Sequence, residues 1–344
     1  MKATASCSYW ICFTAGLLIL LHAGIASSQD SWERWQEKAG PIPVVNQSPI
    51  NLLFLQPVPE RASTLPKGRC LVRFNTTVTN TLVAKKSAQY AATVDTEMIR
   101  TSLDLSYGIS PYLELGLSIP AAHYYSGFMD RPILQVEEAF GDPRYIRDKE
   151  DHNRFTFSVK KDGKEFISAS EGSTGMGDLA LRAKAKLCNE NGMLPASSIR
   201  VAVKLPCGDQ DRGFGSGEPD WGFGLLLDRT INRMSLYLNA DVIFPGEAFD
   251  DAGISLREFY TAMIGLEYPL MPGMSAIGQL SWTARPFEDT GLDMLDRRIY
   301  DLLIGLTYRI RKKIYLQAGG VEDIFDSQDA SADFTFFFNL GFTL

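Results

Sequence analysis

The last eleven residues of the chain change sides at every step. Phe334, Phe336, Phe338, Leu340, Phe342 and Leu344 share one face, and Thr335, Asn339, Gly341 and Thr343 share the other. A period of two marks a strand that is buried on one face only. The same alternation runs through Met234–Phe244, where Met234, Leu236, Leu238, Ala240, Val242 and Phe244 oppose Ser235, Tyr237, Asn239, Asp241 and Ile243. It returns at 300–308, with Tyr300, Leu302, Ile304, Leu306 and Tyr308 on one face. Nine further segments carry it, at about 70–82, 96–107, 112–122, 177–187, 197–206, 219–228, 257–268, 274–285 and 313–321. That makes twelve strands, each close to the roughly 9–11 residues that a tilted membrane strand needs.

The connections alternate as well. Short ones at 108–111, 189–196, 230–233, 270–273 and 309–312 interleave with long ones at 123–176, 208–218, 246–256, 287–297 and 322–332. Short turns on one side and long loops on the other characterise outer-membrane barrels, whereas a soluble sandwich has no reason to obey such a rule. An even strand number returns both ends to the periplasmic side. Lipid offers no partner to backbone N–H and C=O groups, so the sheet must close on itself. Tyr107, Tyr112, Trp221, Phe244, Tyr260, Tyr268, Trp282 and Tyr308 fall near strand ends, as interfacial girdles do. The sequence therefore predicts an all-β fold: an antiparallel transmembrane β-barrel of about twelve strands over 69–344, with short periplasmic turns and long outer loops.

The N-terminus fits that destination. Lys2 precedes an apolar run at 10–25, and the small residues Gly24, Ala26 and Ser28 follow where a cleavage site needs them. The run is short for a spanning helix, which takes roughly 20 residues, so 1–28 reads as a cleaved secretory signal peptide. Cys7 and Cys12 lie before or within the run, which argues against a lipid-anchored N-terminus. After residue 30 no apolar stretch reaches spanning length. Three cysteines remain, Cys70, Cys188 and Cys207, at unrelated spacings, and no disulfide is expected among them. A net charge of −7 excludes a generally basic nucleic-acid binder.

Two segments stand outside the strand pattern. Residues 29–68 carry Pro41, Pro43, Pro49, Pro57, Pro59 and Pro66, together with the apolar residues Ile50, Leu52, Leu53, Phe54 and Leu55. They read either as a disordered periplasmic lead or as a segment tucked into the lumen. Residues 123–176 are too long for a passive loop and are expected to form an outer lid. Within them, 132–140 is a candidate short helix, and 154–168 a hairpin turning at Lys161, Asp162 and Gly163.

The stretch VKLPCGDQDRGFGSGEPDWGFGLLLDR at 203–229 resembles the strand–loop–strand pattern of two barrel groups. One is the phenol meta-degradation-pathway outer-membrane proteins, and the other a domain-of-unknown-function family of similar barrels. GMGDLALRAKAKL (175–187), SGFMDRPILQVEEAFG (126–141) and NQSPINLLFLQPVPE (46–60) also resemble the second family. The resemblance implies a barrel and solute uptake and supplies no catalytic residue. Two positions depart from it: Glu137 or Glu138 stands near the family's loop histidine, and Cys207 where Thr or Ser is expected.

Other motifs carry little chemistry. Gly213, Gly215 and Gly217 precede an alternating strand, not the helix that a phosphate-cradling loop requires. His123 shares the lipid-facing parity of Leu113, Leu115, Leu117 and Ile119, but its same-face neighbour is Tyr125, not a serine. A lipid-modifying enzyme is thus the weakest reading, and no enzyme activity is expected. The acidic outer-loop residues, among them Glu247, Asp250, Asp251, Asp293, Asp296, Asp326 and Asp329, lack calcium-loop spacing. No metal or cofactor is expected.

The most informative constellation faces inward. Assigning the apolar faces to lipid makes Arg73, Arg100, Arg182, Lys184, Lys186, Arg200 and Lys204 lumenal on the first five strands. Asp241, Glu267 and Asp301 are lumenal on strands seven, eight and ten, while Asp104, Glu114 and Asp178 are exceptions on the basic side. Charges inside a barrel must be paired or wetted. The interior is then either salt-bridged and closed, or a hydrated path between oppositely charged walls. The leading function is a channel or uptake porin for a small solute in the cell outer membrane. The alternative is a structural or surface-interaction barrel with a closed lumen, acting through 123–176 and 287–297. Its expected partners are outer-membrane lipids and lipopolysaccharide, barrel-assembly machinery reading the C-terminal strand, and the solute, with no nucleic acid.

Overall fold

The computed structural model describes residues 38–131, 133, 154–324 and 332–344. The N-terminal apolar run, the bulk of the anticipated 132–140 helix with Glu137 and Glu138, and Asp326 and Asp329 lie outside the described residues.

The strands are β1 (Cys70–Lys86), β2 (Tyr90–Ser110), β3 (Leu113–Tyr125), β4 (Thr156–Lys161), β5 (Lys164–Ala169), β6 (Thr174–Met176), β7 (Leu179–Cys188), β8 (Ala196–Leu205), β9 (Asp220–Ile231), β10 (Met234–Phe244), β11 (Phe259–Met271), β12 (Met274–Thr283), β13 (Ile299–Arg311), β14 (Ile314–Asp323) and β15 (Phe334–Thr343). Twelve of them form an antiparallel ring in which β1, β2, β3 and β7 to β15 pair in chain order. The ring closes between β15 and β1, from Leu71 opposite Thr343 to Asn80 opposite Phe334. Closure leaves no barrel strand with an unpaired edge in lipid.

The outer surface carries the predicted apolar faces. Phe74, Leu115, Leu181, Phe223, Ile264 and Phe338 are all exposed, which suits lipid as solvent and no other. Trp221 and Phe244 sit opposite each other at the long-loop end, and Tyr260 and Trp282 end their strands on that side. Tyr107, Tyr112, Tyr268 and Tyr308 belong to the short-turn end. Two aromatic bands thus flank the apolar belt.

The long-loop end is roofed. β1 and β2 do not stop at the barrel rim, as the alternation alone implies, but run on as a paired hairpin to Lys86 and Tyr90. The hairpin 156–169 adds to β2 at Tyr90–Asp95, and its turn uses positive φ at Asp162 (49°) and Gly163 (80°), the geometry that two-residue hairpins favour. Beneath this extension Val83, Tyr90, Val94, Phe157, Val159, Ile167, Phe249, Phe259, Phe287 and Leu295 form one buried cluster. Sequence alternation missed the extension because its apolar residues, Val83, Tyr90, Ala92 and Val94, carry the inward parity of Arg73 and Asp104, out of phase with the apolar face that meets lipid.

Candidate functional site

Residues 38–65 run through the lumen. Lys38 begins at the short-turn end, where its ammonium donates to Thr230 at 2.6 Å. The chain then rises along one wall: Ile42 N–H donates to the Gln279 side chain, and Asp301 accepts from Asn46 at 2.8 Å. A 3-10 turn at Asn51–Leu53 lies at the long-loop end, where Arg285 donates to Asn51. Leu55 N–H donates to Asp220 at 2.7 Å. The chain descends past Asn239 and Ser198 and leaves where Leu65 N–H meets Glu114 at 2.9 Å.

Sequence and surroundings explain this course. Proline has no N–H, so a proline-rich segment brings fewer backbone donors that need a partner inside a closed barrel. The apolar residues go where the roof needs them. Phe54 packs edge-on against Phe249, Phe259 and Phe287, with centroids 6.5, 6.3 and 5.7 Å away. Ile42 and Val44 join Ile277, Leu303, Val321 and Phe337 in a second small core.

Glu60 is the hub of the interior. Its carboxylate meets Lys184 at 3.0 Å, Arg200 at 3.1 Å and Arg182 at 3.7 Å. Asn239 holds its backbone from both sides, accepting from Glu60 N–H at 2.9 Å and donating to Glu60 C=O at 3.0 Å. Burial alone would raise the Glu60 carboxyl. The Lys184, Arg182 and Arg200 charges outweigh it and hold the group well below the usual carboxylate range.

The other basic residues are also engaged, for the most part within the barrel wall. Lys184 reaches Glu114 at 3.3 Å. Lys204 lies between Asp178 and Asp220, at 3.1 and 3.0 Å, and donates to Leu53 C=O at 2.6 Å. Arg200 binds Asp241 in two-pronged fashion, at 2.7 and 2.6 Å. Asp241 therefore belongs to the basic cluster and does not stand opposite it. Glu267 accepts from Tyr237 at 2.6 Å and from Ser275 at 2.7 Å; among the described residues it forms no ion pair, although its charge acts on Lys38. Arg182 donates to Ser106 at 2.5 Å. Lys186 sits at the short-turn rim, 5.3 Å from the Tyr112 ring. Arg100 lines a cavity of about 80 Å³ with Phe54, Tyr124 and Phe214. Arg73 lines a larger one of about 410 Å³ at the short-turn end.

Glu60, Asp220 and Asp228 also pair with the interior cations, although the inward-facing set read from the sequence does not include them. Asp220 and Asp228 were legible in principle, since both share the inward parity of β9. Glu60 had no strand to give it a parity, and only its place in a proline-rich segment set it apart. His123, on the rim, pairs with Thr174 at 2.8 Å and stacks on Tyr125. The neighbouring hydroxyl thus comes from the facing strand. Among the described residues no carboxylate forms an ion pair with it.

The sequence matches the family described as protein of unknown function (DUF3187) over residues 17–344. The chain belongs to that family. No curated protein matches it. Among solved structures it resembles a COG4313 outer membrane channel from Pseudomonas putida F1, with a TM-score of 0.54 and 15% identity over 83% of this chain and 99% of that one. At that identity the likeness establishes the barrel fold alone. The CymD monoaromatic hydrocarbon channel (9% identity, 81% of this chain and 88% of that one, TM-score 0.38) and the KdgM porin (10%, 79% and 98%, 0.37) are too distant to argue from.

Proposed function

We propose that this DUF3187 barrel is an outer-membrane channel for small polar or anionic solutes, held shut by residues 38–66. One observation carries the reading. The material that fills the lumen is a segment of chain bound through side chains and isolated backbone contacts, with no strand pairing to the wall. It can withdraw without breaking a rung of the barrel. A structural barrel closed for good would be better served by apolar wall residues meeting at the centre, because buried ion pairs add little net stability over apolar packing.

The apolar belt between aromatic bands supports residence in the outer membrane, with lipids and lipopolysaccharide as neighbours. The resemblance of 203–229 to phenol meta-pathway barrels points to aromatic solutes, whereas the cations that line the interior point to anions. The proposal follows the interior, because that is what a solute touches.

Single-channel recording in planar bilayers tests it. The full chain is expected to be closed with rare openings, and a variant lacking residues 38–66 to conduct steadily, with anions preferred. If that variant and a second one that also lacks the roof hairpin 156–169 both fold, by their shift on unboiled detergent gels, and still conduct nothing, the barrel is structural and the channel reading fails.

A further inference from the structure

We infer that the cavity at the short-turn end of the lumen is a binding site for a small multivalent anion, one carrying two or more carboxylate or phosphate charges. The inference deepens the channel reading by naming its solute class, but the site itself is complete in the closed barrel. The cavity measures about 410 Å³, within the roughly 300–1,000 Å³ of small-molecule sites. Eight Lys or Arg side chains line it against two carboxylates, Glu60 and Glu114. Both carboxylates are already taken by the lysine and arginines of the wall. Arg61 is engaged with Asp228 at 3.6 Å. Among the described residues, Arg69, Arg73, Lys312 and Lys313 make no ion pair, and they converge from the entry to β1, from β1 itself and from the β13–β14 turn.

Arg73 is the residue that points to a ligand. It is 6% exposed, and its Nε makes no hydrogen bond. Its cross-strand neighbour Asp104 turns instead to Asn75. The guanidinium has the Tyr315 hydroxyl and the Asp104 charge beside it, but its Nε is left without an acceptor; a buried donor in that state costs on the order of 1–3 kcal/mol, a cost that an anion in the cavity would remove. Guanidinium forks match carboxylate and phosphate oxygens in pairs, and a cleft lined by one sign of charge concentrates ions of the other. Burial, and after it the Arg61 charge, lower the Lys38 ammonium from its usual value, as expected where cations crowd.

Calorimetry on the full folded protein in detergent at low ionic strength tests this, with citrate and inorganic phosphate as probes and glucose as the neutral comparison. One molecule of citrate or phosphate should bind per barrel, and more weakly as salt is raised. Tighter citrate assigns the site to polycarboxylates, and tighter phosphate to phosphate-bearing solutes. Lys312→Gln with Lys313→Gln, on an exposed turn, should weaken binding about tenfold, and Arg73→Gln should do the same. Arg229→Gln, on the same rim but outside the cavity, should leave it unchanged. No binding of either anion overturns the inference, as does binding that glucose equals or that the double lysine variant retains in full. Because binding is read on the closed barrel and conductance on the opened one, either result can fail without the other.

Discussion

Arg200 and Asp241 lie two strands apart, and they meet because Gly224 lies between them. Arg200 of β8 and Asp241 of β10 are both in register with Gly224 of β9. A Cβ on that glycine would fall on the Asp241 carboxylate and within 3.0 Å of Arg200 Cγ. The missing side chain is the gap through which the two-pronged pair forms. The same device recurs on β3, where Gly116 lies in register between Arg182 and Ser106 and lets the guanidinium cross to the hydroxyl. Alternation along a strand selects which residues face the lumen, and these wall glycines select which of them can touch.

Gly224→Ala should therefore cost much of the Arg200–Asp241 pair without touching either residue. Asp241→Asn removes one partner of a buried pair and should lower stability by about 3 kcal/mol. Urea midpoints read by gel mobility on the refolded protein check this. A Gly224→Ala barrel as stable as the parent would show that the pair re-forms by another route.

Glu60→Gln should loosen the N-terminal segment while sparing the wall. Arg200 keeps Asp241, Lys184 keeps Glu114 and Arg182 keeps the Ser106 hydroxyl, so each wall cation retains a partner, but the segment loses its anionic anchor. Trypsin cleavage after Arg61, whose side chain is 36% exposed in the parent, should speed up by an amount equivalent to about 3 kcal/mol, with the urea midpoint of the barrel little changed. Equal cleavage rates in the two proteins would assign the anchoring to the apolar contacts of Phe54.

The depressed Glu60 carboxyl sets a pH dependence. A group whose folded pKa lies below its unfolded value contributes stability that is complete above the unfolded value and is lost as pH falls through the folded one. Closure by residues 38–66 should hold from neutral pH down to about 4.3, the ordinary glutamate value, and weaken progressively below it. Opening frequency in bilayers should be flat over the first range and rise over the second, and Glu60→Gln should remove the Glu60 part of that rise. Opening that increases toward alkaline pH would contradict the assigned sign.

Much of this architecture is legible in the amino-acid sequence. All twelve barrel strands follow from period two, because lipid on one side and a lumen on the other impose the same rule on every strand. Inward placement of Arg182, Lys184, Arg200 and Lys204 follows from the same parity. Their partners do not follow from it. Which carboxylate Lys204 meets depends on barrel curvature and on a loop residue such as Ser216, to which it also donates. The segment at 38–66 has no period at all, so its proline content is compatible equally with a loose lead and with a lumenal filling. The β1–β2 extension is hidden for a related reason, since Tyr90, Ala92 and Val94 face the roof and not lipid.

The final prediction concerns the seam. β15 is paired on both sides, with β14 and with β1, and the last residue completes the join: Leu344 N–H donates to Cys70 C=O at 2.8 Å, and Cys70 N–H returns to Leu344 C=O at 3.4 Å. Phe342 stacks on Phe74 across that seam, with centroids 6.3 Å apart. Deleting residues 342–344 leaves the start of β1 and of β14 without partners at the short-turn end, where lipid and headgroups cannot replace them. Insertion into the outer membrane should fall sharply. Phe342→Ser separates two causes, since it keeps the backbone ladder and removes only the lipid-facing ring. If assembly machinery reads that ring, Phe342→Ser should insert poorly in cells yet refold in detergent nearly as well as the parent, whereas the deletion should fail in both. Wild-type insertion of the truncated chain would mean that the ring closes without the end of β15, against the register that joins β15 to β1.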